Sequence, residues 1–151
     1  MATYVISDIH GEYDMFMELL NIINFRDSDI LYVLGDVFDR GPKPITALLK
    51  IMEMPNVICM VGNHEYMGLP CLEFLVREST SIKIKDMDEE TLMNFRTWQY
   101  NGSSTTIEEF LKLDEEIQLD IIDFIKDLSV YEHVRVGDKK FLLVHAGLGN
   151  Y

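Results

Sequence analysis

The chain has 151 residues, 48% hydrophobic and 26% charged, so it can bury a core and is too apolar to read as disordered. Its formal charge of −13 argues against tight nucleic-acid binding through phosphate neutralisation, although bound divalent cations would invert the local charge. No apolar run approaches the ~20 residues of a membrane span, and the N-terminus shows no signal-peptide pattern, so one cytoplasmic domain over 1–151 is expected.

The first 60 residues alternate regularly. "TYVIS" (3–7) is a β-rich run, and 13–23 places Phe16, Leu19, Leu20 and Ile23 at helical spacing. "DILYVLG" (29–35) reads as a second strand, 44–52 as a helix opened by Pro42 and Pro44, and "NVICMVG" (56–62) as a third strand. Strands alternating with short helices predict parallel βαβ units. Residues 64–129 read as helical, with amphipathic runs at 91–98 and 113–128. The second run puts Ile117, Ile121, Phe124, Ile125 and Leu128 on one face. Acidic residues between Asp86 and Asp127 read as solvated helix surface. "YEHVRV" and "KFLLVH" flank Gly137-Asp138, a hairpin signal. Cys59 and Cys71 sit in apolar surroundings as reduced core thiols, and His133 reads as structural.

Each strand of this scheme ends in a polar loop. Strand one ends in "SDIHG" with Asp8 and His10, and strand two in "LGDVFDRG" with Asp36, Asp39 and Arg40. Strand three ends in "VGNHE" with Asn63, His64 and Glu65, and the last strand in "VHAG" with His145. Any one of these alone would be an ordinary turn, cap or strand end. Open α/β sheets bind ligands outside the carboxyl ends of their strands, so the four loops are expected to converge. Carboxylates, imidazoles and an amide oxygen without thiolates form a mixed O/N set that suits manganese, iron or zinc. Glycines beside them (Gly11, Gly35, Gly41, Gly62, Gly147) are expected to let the backbone turn sharply.

In this order, "SDIHG", "GDVFDRG", "GNHE" and "VHAG" resemble the successive signatures of the calcineurin-like metallophosphoesterases. The "DRG" ending is similar to the phosphoprotein phosphatase branch, including bacterial and phage serine/threonine phosphatases. The resemblance implies an α/β fold, the α/β/β/α sandwich, with an N-terminal βαβαβ half and a helical insert. It implies two divalent cations, manganese first and iron or zinc as alternatives. Asp8 and His10 would hold one, Asn63 and His145 the other, and Asp36 would bridge both. Water between the cations would lose its proton and attack phosphorus in line. His64 would protonate the leaving group with Asp39 behind it, while Arg40 and Asn63 would hold the phosphate. Glu65 is left with a supporting or helix-capping role. "WQYNGSSTT" (98–106) resembles a stretch bordering the substrate groove of the bacterial branch, with Ser103 where a second glycine is usual.

Family members continue past the "VHAG" loop, adding an arginine and a histidine for the second metal. A C-terminally incomplete domain is therefore expected, with an incomplete second sheet and self-association through uncovered sheet surface. The expected function is a metal-dependent phosphatase acting on phosphoserine, phosphothreonine or small phosphate esters, with no nucleic-acid or membrane partner. The alternatives are hydrolysis of dinucleoside polyphosphates, or a metal-binding fragment with little activity.

Overall fold

The computed structural model describes residues 1–77 and 87–147. The strands β1 (Thr3–Ile6), β2 (Ile30–Val33) and β3 (Val57–Cys59) form one parallel sheet in the order β1-β2-β3, with Thr3 opposite Ile30 and Leu31 opposite Val57. Central β2 reads "ILYV" with Leu31 and Val33 fully buried, the continuous apolar run of a strand covered on both faces. The helices α1 (Tyr13–Ile22) and α2 (Pro44–Met52) are the two crossovers. Pro44 occupies the first turn of α2, where a missing N–H costs nothing.

The helical middle comprises α3 (Asn63–Arg77), α4 (Glu89–Tyr100), α5 (Ser104–Phe110) and α6 (Glu115–Asp127). Helix α3 packs on α4 and α6, and α5 packs on α2. The expected apolar face of α6 is rotated: Gln118, Ile121, Ile122 and Ile125 are buried, whereas Ile117 is exposed. Gln118 can turn inward because its amide donates to the Phe110 carbonyl at 2.8 Å, so burying it leaves no donor unpaired. Glu109 departs from the solvated-face expectation too. Lys43 gives α2 no side-chain cap, and the Glu109 carboxylate supplies one from α5, accepting from the Ile45 and Thr46 N–H groups at 2.8 and 3.2 Å.

The hairpin β4 (Tyr131–Val136) and β5 (Lys139–Val144) is antiparallel, with Tyr131 opposite Val144 and a turn at Gly137. It meets the parallel sheet through a bridge between Met60 and Ser129. His133 is exposed on it, its ring edge-on to Tyr131. Cys59 and Cys71 are buried free thiols, and burial pushes both up, Cys71 to about 12. Among the described residues no helix is long and apolar enough to cross a membrane.

Candidate metal centre

The loops after β1, β2, β3 and β5 converge at one end of the sheet. Their central residue is Asp36, whose carboxylate is nearly buried. Its two oxygens face different partners. Oδ2 lies 3.7 Å from His10 Nε2, and Oδ1 lies 3.5 Å from His145 Nε2. Asp8 Oδ1 stands 3.7 Å from the same nitrogen of His10, with its side chain half exposed. Asn63 Oδ1 stands 2.9 Å from His145 Nε2.

Both imidazoles are held from behind. His10 Nδ1 donates to the Phe38 carbonyl at 3.2 Å, and His145 Nδ1 donates to the Leu34 carbonyl at 2.6 Å. In a neutral ring this leaves Nε2 as a lone pair aimed inward. Each inward lone pair then faces carboxylate or amide oxygens, acceptor against acceptor. A shared cation resolves that conflict, and a backbone carbonyl behind the ring is the usual support of a ligating histidine. His10, Asp36 and His64 also offer ligand atoms within 4.8 Å of one another. The donor set therefore fits divalent cations on either side of Asp36.

The backbone carries strain at these positions. Asp8, His10, Asp36, Asp39 and Arg40 all have positive φ, between 45° and 71°. Such residues each cost about 1–2 kcal/mol relative to ordinary backbone. The glycines expected to turn do so at Gly11, Gly35 and Gly147, with φ of 68°, 88° and 83°, and the chemical residues beside them share the turns. Gly35 and Gly62 also serve close approach between two of these loops. A Cβ on Gly62 would fall 2.2 Å from Asp36 Oδ1, and one on Gly35 would fall 2.4 Å from Gly62 N.

Glu65 is the residue that sequence reasoning undervalued. It is fully buried, and its carboxylate accepts the N–H groups of Asp36, Val37 and Gly62, each at 2.8 Å. The loop after β2 and the loop after β3 are thus clamped to one side chain. Burial pushes the Glu65 carboxyl up, and the three N–H donors pull against it. The available signal was its register: a glutamate three residues after a glycine, at the first turn of a helix.

His64 and Asp39 form a second buried group. His64 Nδ1 lies 2.7 Å from Asp39 Oδ2, with both side chains fully enclosed. The Arg40 guanidinium, which can only donate, lies 3.1 Å from His64 Nε2. The proton is therefore on Nδ1, directed at Asp39. Burial pushes His64 down, but the bond to Asp39 and the charges of Asp36 and Asp39 overcome it, and the net direction is up. Ser103 has φ −74°, ordinary helical backbone, so its position requires no glycine. The preceding Gly102 does, at φ +99° with Arg40 Cγ 3.0 Å from a would-be Cβ.

Residues 1–151 match the family profile described as calcineurin-like phosphoesterase. A protein of Nitrosomonas europaea named bis(5'-nucleosyl)-tetraphosphatase, symmetrical, is 29% identical over 150 residues, covering 98% of this chain and 45% of its own length. One of the same name from Wigglesworthia glossinidia brevipalpis is 28% identical over 151 residues, covering 98% and 45%. A solved metallophosphoesterase from Sphaerobacter thermophilus superposes with a TM-score of 0.50 at 18% identity, over 91% of this chain and 44% of that one. The chain spans less than half the length of the curated relatives it matches.

Proposed function

The chain belongs to the calcineurin-like phosphoesterases, and from that premise we propose that it is a metal-dependent hydrolase of phosphoric anhydrides in dinucleoside polyphosphates. The observation that carries the hydrolytic part is the division of Asp36, one oxygen toward His10 and the other toward His145. The substrate class rests on the names of the relatives that match along nearly the whole chain.

In this reading Asp8, His10 and Asp36 hold one divalent cation, while Asp36, Asn63 and His145 hold the other. Bound there, the pair supplies activation of water and neutralisation of phosphoryl oxygens. Arg40, exposed beside His64, takes two phosphate oxygens through its forked guanidinium. That movement vacates His64 Nε2, which can then take up a proton from solvent, favoured by the carboxylates of Asp39 and Asp36, and pass it to the departing oxygen. Asp39 keeps the other ring nitrogen protonated and the ring plane fixed.

A second reading is favoured by the His64–Asp39 pair itself. A phosphate leaving group departs from an anhydride with little help, whereas the alkoxide of phosphoserine or of a simple ester needs a proton. A fully buried, oriented acid suits the latter, so phosphomonoester hydrolysis is the competing proposal. The test is Mn²⁺-dependent turnover of diadenosine tetraphosphate and of a phosphoserine peptide, side by side, with Asp36→Asn as control. Turnover of the dinucleotide, abolished by the substitution, is expected. Preference for the peptide would install the second reading, and turnover surviving Asp36→Asn would defeat both.

A further inference from the structure

We propose that the segment from Trp98 to Thr106 is a positioning cradle for the Asp39–Arg40 turn, which rests on the phosphohydrolase reading above. No residue of this segment is among the candidate metal donors, and 59 positions separate Trp98 from Asp39 along the chain. Yet three of its groups close on that turn. The Trp98 indole N–H donates to Asp39 Oδ2 at 2.7 Å, the same oxygen that meets His64 Nδ1. The Thr106 hydroxyl accepts the Asp39 N–H at 3.0 Å and donates its own proton to Asp39 Oδ1. The Gly102 carbonyl accepts the Arg40 N–H at 2.9 Å.

The turn needs such support. Asp39 and Arg40 are consecutive non-glycine residues at φ +71° and +68°, a pairing that local backbone preference opposes. The cradle answers with bonds to both N–H groups and to both carboxylate oxygens of Asp39. Trp98, Thr106, Asp39 and His64 are all fully buried, so water does not substitute for a lost donor without entering the core. Thr106 uses its hydroxyl as acceptor and donor at once, which valine of nearly the same shape cannot do. Because Asp39 sets the His64 ring plane, the cradle sets where Nε2 points. Trp98 and Thr106 are therefore positioning residues that act through Asp39.

A purely structural role would lower all turnover together, so the test compares leaving groups. Phenyl phosphate and p-nitrophenyl phosphate differ mainly in how much the departing oxygen needs a proton. Thr106→Val is expected to depress phenyl phosphate turnover at least about tenfold more than p-nitrophenyl phosphate turnover, and Thr106→Ser to restore both. Equal losses on the two esters, or a serine variant as impaired as the valine one, would overturn the proposal. Trp98 is the single tryptophan, so its indole N–H gives one NMR resonance that requires no turnover. It is expected downfield and slow to exchange, and to move upfield in Asp39→Asn. A resonance unmoved by Asp39→Asn would also overturn the cradle. A wild type inactive on both aryl esters and on diadenosine tetraphosphate would sink the phosphohydrolase reading instead, while the indole resonance still decides the contacts.

Discussion

The parallel sheet and the β4–β5 hairpin both deliver candidate metal-ligand residues to the same point, but they hold them differently. Asp36 is fixed from several sides: Glu65 accepts its N–H, the His64 N–H donates to its Oδ1 at 3.0 Å, and Gly62 packs against it. His10 is tied to the Phe38 carbonyl, and its own backbone bonds to the Asp36 carbonyl and to Gly41. His145 reaches the site at the end of a two-stranded hairpin in which Val134 is the one buried hydrophobic residue among those described. A two-stranded ribbon alone is marginal in water. Its side of the centre rests on the Met60–Ser129 bridge and on the bonds of His145 to Leu34 and Asn63. One half of the site is over-determined by packing, and the other half is held by a few polar contacts.

The strongest way to break this contrast is to remove the clamp. Glu65→Ala leaves the N–H groups of Asp36, Val37 and Gly62 unpaired inside the protein, at about 1–3 kcal/mol each before water relieves some of it. A loss of about 3 kcal/mol or more is expected in urea unfolding. Glu65→Gln should recover only part of it, since its amide turns a donor toward donors. A midpoint within experimental scatter of wild type would mean that packing, not the clamp, holds the two loops together.

His145→Ala sharpens the comparison from the other side. The ring is only 14% exposed and its bonds to Leu34 and Asn63 help anchor the hairpin, so stability should fall by about 1–2 kcal/mol, less than for Glu65→Ala. Binding of the second cation should weaken at least roughly tenfold, while the cation at Asp8, His10 and Asp36 stays tight. Mn²⁺ titration of wild type and variant by calorimetry reads both affinities. Two unchanged binding steps would remove His145 from the donor set.

Much of this was legible in the chain because the signals are local. Strand runs, the Pro44 helix start and the Gly137-Asp138 turn are each written in a few adjacent residues, and they stand within one to three residues of where they were expected. The gathering of Asp8, His10, Asp36, Asn63, His64 and His145 follows from their places at strand ends. What stayed hidden depends on contacts far apart in sequence. Glu65 looks like any acid in a first helical turn until three N–H groups are seen to share it. Glu109 belongs to an acidic run, and only the packing of α5 on α2 turns it into a cap. The inward turn of Gln118 at the expense of Ile117 is set by a carbonyl eight residues away, which hydrophobic periodicity does not register.

The smallest effect is expected on the hairpin, where Tyr131 and Leu142 are exposed on one face and Val136 and Phe141 on the other. Phe141 is 45% exposed, whereas Leu48 is fully enclosed between α2 and the sheet. Leu48→Ala should cost about 2–5 kcal/mol through lost transfer energy and the cavity left behind. Phe141→Ser should cost only about 1 kcal/mol, because nearly half of the residue already meets water in the folded chain. That difference holds only while nothing covers the Phe141 face. Urea midpoints measured at two protein concentrations, with sedimentation at the same concentrations, therefore carry more than a stability value. A Phe141→Ser penalty that grows with concentration would show a second copy seated on the hairpin, stabilising by mass action a region that one copy leaves bare. A penalty that stays small at both concentrations would leave the hairpin as the weakly packed arm of the molecule, anchored chiefly where His145 meets the site.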